Sequence, residues 1–214
     1  MTVEVIEART LGEGWLDTAW TILESGARES YDGQATREIA LLTLTVAEPC
    51  SDDPVIAELG DPEWLAWMHE NFFVKKDVAE LGYAKSYAVR FFDYSGTGRD
   101  QIAWVVDRLR ADPANRSATI TTFQPLTDTA YIPCVSLLDF WLPDARLALV
   151  VYAHSLDFGK KAYGNLVELT RIQEQVAGEL DVEVGPLVVH AKSAHIYEPE
   201  WALMRELVSG ARSH

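Results

Sequence analysis

The feature that most constrains this chain is the order of elements between residues 118 and 197. Three strand-like runs (118–123, 135–142 and 147–154) come in close succession. The link Pro143-Asp144-Ala145-Arg146 between the last two is short enough for a hairpin. A long helix at 164–179 follows, with apolar Leu166, Leu169, Ile172 and Val176 at helical spacing. A strand at 188–197 and a helix at 199–207 close the series. Upstream, residues 12–25 carry Trp15, Ala19, Ile22 and Leu23 on one helical face, and the compact apolar run at 39–46 reads as a strand. An aromatic-rich helix should start after Asp61 as N-cap with Pro62 at its first position. Another, at 101–110, should follow Asp100 and stop near Pro113. Strands mixed with helices packed on one side predict an α+β fold in one domain over residues 1–214.

Charge narrows the partners. The 214 residues are 48% hydrophobic, ample for a core, and carry a formal net charge of −15. Such a surface repels phosphate backbones and anionic lipid, so neither nucleic acid nor a membrane is an expected partner. A small anionic substrate stays compatible, because a few arginines can outweigh the global field inside a cleft. The first ten residues hold no apolar run of signal-peptide type, and the longest apolar stretch, 147–153, is a strand length. Two cysteines, Cys50 and Cys134, make neither a disulfide framework nor a zinc site. A reducing cytoplasm is the expected compartment.

Cys134 follows Pro133 at the start of an apolar strand, where a buried structural thiol is the ordinary outcome. A catalytic thiolate there needs a cation beside it, and Arg116, Arg90, His154 and His195 are candidates. Cys50 lies in an acidic loop unsuited to a thiolate. His195 and Tyr197 stand two apart on a strand, so both face one side and could bond a single ligand, or the imidazole could simply be satisfied within the sheet. His154 and Asp157 flank the loop HSLD, which could be only a capping turn. Asn165 opens the long helix, where N-capping is its plain role. His69 and His190 lack a supporting pattern, and no metal or dinucleotide motif is present.

Taken in order, DQI (100–102), DPANR (112–116), PC (133–134), HSLD (154–157), a helix-opening Asn165 and HIY (195–197) resemble the thymidylate synthase superfamily. Its pattern runs DQI, DP-x-SRR, PC, RSxD, Asn and HxY, at spacings close to those here: 20 residues from Cys134 to His154, eight from Asp157 to Asn165, and 30 from Asn165 to His195. The likeness is strong over nearly half the chain and loose in the first hundred residues. The short length and the SAHIYE ending resemble the compact, archaeal-type branch.

The resemblance implies a thymidylate-synthase fold, paired sheet-to-sheet as a homodimer. It implies Cys134 as the nucleophile that adds to C6 of a pyrimidine nucleotide, with 5,10-methylenetetrahydrofolate as one-carbon donor and no metal. Arg116, lent by the partner subunit, would favour the thiolate and hold an anion. Tyr87, in YAVR, would assist proton removal from C5, with Tyr83 as the other choice. Asn165 would pair with the base edge, and His195 with Tyr197 would bond the sugar. His154 and Ser155 would lie on the substrate. Asp157 would take the pterin, with Trp64 or Trp67 stacked nearby.

Several positions depart from the family pattern. Ser117 and His154 stand at arginine positions, as does Asp32 in the N-terminal loop. Val135 and Asp139 stand where His and Gln are usual, and Lys161 where a glycine is common. Each lost charged hydrogen bond costs about 1.5–3 kcal/mol. Two such losses weaken a phosphate ligand by about a hundredfold unless Arg28, Arg37 or Arg90 substitutes. These departures point away from housekeeping thymidylate synthesis. Three readings follow: a C5 methyl- or hydroxymethyltransferase, the same fold turned to a non-phosphorylated substrate, or a non-enzymatic binding module. The joint presence of Cys134, Asn165, Asp157 and His195 argues against the last.

Overall fold

The computed structural model describes residues 2–31 and 33–211. Its strands are β1 (Glu4–Ala8), β2 (Ala27–Tyr31), β3 (Gln34–Val46), β4 (Asp77–Val78), β5 (Ala84–Lys85), β6 (Ala118–Thr121), β7 (Val135–Trp141), β8 (Arg146–Ala153), β9 (Leu156–Asp157) and β10 (Glu183–Tyr197). The helices are α1 (Leu11–Ser25), α2 (Pro54–Leu59), α3 (Pro62–Phe73), α4 (Tyr87–Phe92), α5 (Gln101–Ala111), α6 (Ala162–Leu180) and α7 (Trp201–Ala211).

Helix starts follow local chemistry. Thr10 and Glu13 close a capping box at α1. Asp61 accepts from the N–H groups of Glu63 and Trp64 ahead of Pro62, and Asp100 accepts from Ala103 N–H. Gly12 is needed where α1 meets α2, since a Cβ there would lie 2.5 Å from Val55 Cβ.

The main sheet runs β1-β3-β10-β8-β7-β6, with β2 hairpinned onto β3 and β9 paired to β10. One row of paired residues, Ile6, Leu44, Val189, Val151, Leu138 and Ile120, crosses all six strands and is buried throughout. The helices α1, α5 and α6 pack on the sheet and close this core. The neighbouring row, Val5, Thr43, His190, Tyr152 and Leu137, shows the opposite face. There Val5 is 57% and Tyr152 42% exposed, so one side of the sheet lies open in the single chain.

Strand directions gather the chemistry at one edge. β10 runs parallel to β8, and β7 runs antiparallel to it. The start of β7 and the ends of β8 and β10 therefore meet. Cys134, His154 and His195 sit at those three points.

Candidate active site

Each candidate side chain is placed by a local device. His154 N–H donates to Cys134 C=O at 2.9 Å, tying the end of β8 to the residue before β7. The HSLD segment is more than a turn, because Leu156 and Asp157 pair with Ala194 and His195. Phe158 N–H donates to His195 C=O at 2.8 Å, and Trp15 Nε1 donates to Phe158 C=O at 2.9 Å. Gly159 then turns under β10, where a Cβ would lie 2.9 Å from Ile196 Cγ2. This cover explains why Ala194, His195 and Ile196 are all buried and break the alternation seen at Leu187, Val189 and Ala191.

Asn165 does not cap α6, correcting the capping expectation. The helix starts at Ala162, the N-cap position is Lys161, and the Asn165 amide donates to Lys161 C=O at 3.0 Å. Asn165 is 6% exposed, one turn inside the helix. His195 meets Tyr197 edge to face, ring centroids 5.0 Å apart, and its Nδ1 lies 3.3 Å from Ser193 Oγ. Tyr87 opens α4 behind its N-cap Ser86, and its hydroxyl accepts Val135 N–H at 3.0 Å. Tyr87 is thus held against the residue beside Cys134. Trp64 and Trp67 meet edge to face at 5.5 Å on α3. Ser155 is half-buried in the loop between His154 and β9.

Within the single chain the charge that favours the Cys134 thiolate comes from Lys161, a residue the sequence did not single out for that role. Burial pushes the thiol up, the Lys161 ammonium and the Tyr131 phenol pull it down, and Asp157 opposes them. Arg90 cannot serve, because it is 1% exposed and clamps Asp128 through two bonds of 2.7 and 2.9 Å. It also donates to Thr122 C=O at 2.7 Å and Lys85 C=O at 3.0 Å. That arrangement equally removes Arg90 as a substitute phosphate ligand. Arg116 is exposed in the turn between α5 and β6, and His154 Nε2 lies 3.3 Å from Ile132 C=O. Tyr131 was missed because it reaches the thiol only through the loop that Asp128 anchors. Asp32 lies outside the described residues. The DQI signature is structural here: Asp100 caps α5, and Gln101 Nε2 donates to Arg90 C=O at 2.8 Å and Thr121 C=O at 2.7 Å.

Burial lifts the Asp157 carboxyl to about 6 against the pull of Gly159 N–H, and lowers the His195 imidazole to about 4. At neutral pH one is a carboxylate and the other a neutral ring. Their stability effects oppose between pH 4 and 6. The depressed His195 contributes stability that is lost as pH falls toward 4. The raised Asp157 favours the folded state at low pH, and that contribution is lost as pH rises through 6. Asp157→Asn should therefore gain stability relative to the wild type as pH goes from 4 to 7, measured by urea unfolding. A constant difference across that range would contradict the assignment.

His69 and His190 are both engaged, His69 Nδ1 with Glu168 at 3.0 Å and His190 Nδ1 with Thr43 at 3.0 Å. A cavity of about 530 Å³ lies between α2, α3 and α6 beside Glu168 and Arg171, away from Cys134. Among the described residues no cluster of three metal-ligating side chains occurs, and no helix is long and apolar enough to cross a membrane.

The family profile described as "Thymidylate synthase" matches residues 50–213. A "Putative thymidylate synthase" of Methanothermobacter thermautotrophicus is 31% identical, over 95% of this chain and 97% of the relative. One from Methanosarcina acetivorans is 28% identical, over 96% and 95%. A "Bifunctional dihydrofolate reductase-thymidylate synthase" of Zea mays is 24% identical over 87% of this chain and 33% of its own length. With a profile covering most of its length and a relative aligned nearly end to end, the chain belongs to the thymidylate synthase family.

Proposed function

We propose that this protein transfers a one-carbon unit, as methyl or hydroxymethyl, to C5 of a pyrimidine nucleotide through a covalent Cys134 adduct. The observation that carries the reading is the meeting of Cys134, Asp157, Lys161 and His195 at one sheet edge, in a member of this family.

The thiolate of Cys134 adds to C6, which moves electron density to C5 and makes that carbon the nucleophile. Tyr87, held against Val135 N–H beside the sulfur, helps C5 shed its proton. Asn165 reads the base edge, an amide suiting a uracil-type O4/N3 face. Neutral His195 with Tyr197 bonds a sugar hydroxyl, while His154 and Ser155 line the substrate side. A half-buried carboxylate fits a pterin, whose amino and ring N–H groups need an acceptor. Asp157 with Trp64 or Trp67 would hold it there. The Trp64 face carries the ammonium groups of Lys160 and Lys161 at 4.7 and 5.4 Å, so a ring stacking on it moves them aside. Methylenetetrahydrofolate, when bound, supplies the methylene carbon and, for a methyl product, hydride.

The open sheet face, with exposed Val5 and Tyr152, fits a sheet-to-sheet homodimer, through which the partner copy would lend Arg116. A phosphate would otherwise fall to Arg37, opposite Ile196 in the register. A second reading, a non-phosphorylated substrate on the same fold, is favoured by Ser117 and His154 at arginine positions and by Arg90 being locked on Asp128.

C5 tritium release from dUMP, UMP, dCMP and CMP and from the corresponding nucleosides, with and without methylenetetrahydrofolate, tests both readings. Release from one nucleotide supports the first, and chromatography of the product separates methyl from hydroxymethyl. Release only from a nucleoside supports the second. No release from either class ends both.

A further inference from the structure

The cavity between α2, α3 and α6 takes no part in the chemistry proposed at Cys134. Its volume of about 530 Å³ falls among small-ligand sites, which run from roughly 300 to 1,000 Å³. Its wall carries charges that the protein itself leaves incompletely matched. Glu168 on α6 is 2% exposed, and burial pushes its carboxyl up against the pull of His69 and Arg171. Its Oε2 accepts from His69 Nδ1 at 3.0 Å, and that imidazole stacks on Phe73 with ring centres 5.1 Å apart. Its Oε1 has Arg171 Nε at 3.6 Å, longer than a hydrogen bond. That Nε is buried and has no hydrogen-bond acceptor among the described residues, while Arg171 Nη2 reaches Asp52 Oδ1 at 3.4 Å. The other polar groups of the wall are committed. Asp53 caps α2 and accepts Gly12 N–H at 2.9 Å, and Ser51 bonds Glu174. Ile56, Leu65 and Val167 supply an apolar side.

We propose that this cavity binds a free α-amino acid with an apolar side chain, its carboxylate on Arg171, its ammonium on Glu168 and Asp52, and its side chain against Ile56, Leu65 and Val167. Each part of the ligand answers one feature of the wall. A buried guanidinium N–H without an acceptor calls for a carboxylate, the anion whose geometry matches it. Three carboxylates, Asp52, Asp53 and Glu168, stand against the single guanidinium of Arg171, so a ligand that is only an anion is repelled and one that also carries an ammonium is not. Among the described residues no three-ligand set for a metal ion occurs, which points to an organic cation. The proposal stands independently of the reading of Cys134 as nucleophile.

The test is calorimetric titration of the full chain at neutral pH with leucine, valine and phenylalanine, and with glycine, N-acetyl-leucine and leucinamide as controls. At least one of the first three should bind with a Kd below about 1 mM. Glycine lacks the apolar side chain, N-acetyl-leucine the ammonium and leucinamide the carboxylate, so each should bind at least tenfold more weakly than leucine. Arg171→Leu should weaken leucine at least tenfold, as should Glu168→Gln if circular dichroism shows it folded. Ala66→Trp, at an exposed position on the cavity wall, fills the space without touching either charge and should abolish binding. No binding by leucine, valine or phenylalanine up to about 10 mM overturns the proposal. So does a blocked analogue that binds as well as leucine, or leucine binding that survives in folded Ala66→Trp. No pyrimidine or one-carbon donor enters the titration, so its failure is distinct from failure of the C5 release assay.

Discussion

Cys134→Ala should abolish C5 tritium release, by on the order of 10³-fold or more, while the protein stays folded. Cys134 is the one thiol at this end of the strands among the described residues. Ser155 lies beyond His154 in a different loop, and Cys50 sits just ahead of α2, where the neighbouring Ser51 bonds Glu174 at 2.7 and 2.9 Å. Cys134 is half-buried, and truncating it removes a single sulfur atom. Its cost in stability should stay near 1 kcal/mol, or about 2–4 °C in Tm. Release within tenfold of wild type in the alanine variant would contradict the covalent route.

Arg90→Met should have the largest effect on stability. Arg90 and Asp128 are 1% and 9% exposed at their side chains, and the guanidinium makes four further or paired bonds that no neutral side chain replaces. Removing one partner of a buried pair costs about 3–5 kcal/mol, chiefly by stranding the other charge. For a chain of this size that is roughly 6–20 °C in Tm. Asp128 also accepts Gln124 N–H at 2.7 Å, so the pair anchors the loop that delivers Tyr131, Pro133 and Cys134. Arg90→Met with Asp128→Leu should recover part of the loss, because neither charge is then left alone. Scanning calorimetry decides it, and a single-variant loss below about 1 kcal/mol would contradict a structural role for the pair.

Elements with strong local signals were legible from sequence. Asp61-Pro62 and Asp100 announce α3 and α5 through their capping chemistry, and the strands at 135–142 and 147–154 appear within a residue or so of their ends. The early elements were not. β1 is five residues with one buried side chain, and it is a strand only because β3 lies alongside it. β3 starts at Gln34 rather than 39, because its first half is held by the β2 hairpin. The six-residue α4 has too few turns for a period, and its start depends on Ser86. The last helix begins at Trp201, after a short 3₁₀ turn at Glu198–Glu200, and runs on to Ala211.

The site divides the same way. Cys134, Asp157 and His195 were readable because ordered short motifs carry them. Lys161 and Tyr131 were not, since their bearing on the sulfur depends on how α6 and the 124–131 loop close over β7. Arg90 looked like a free cation until Asp128, 38 residues away in sequence, was placed against it.

The central claim is a bond between the Cys134 sulfur and C6 of a pyrimidine. A 5-fluoropyrimidine nucleotide tests it directly, because fluorine at C5 cannot leave as a proton does and the adduct is trapped. Incubated with methylenetetrahydrofolate and analysed by intact and peptide mass spectrometry, the protein should gain the mass of the nucleotide and of the whole donor, located on Cys134. Turnover of the unfluorinated nucleotide with no fluoropyrimidine mass on Cys134 would contradict the account.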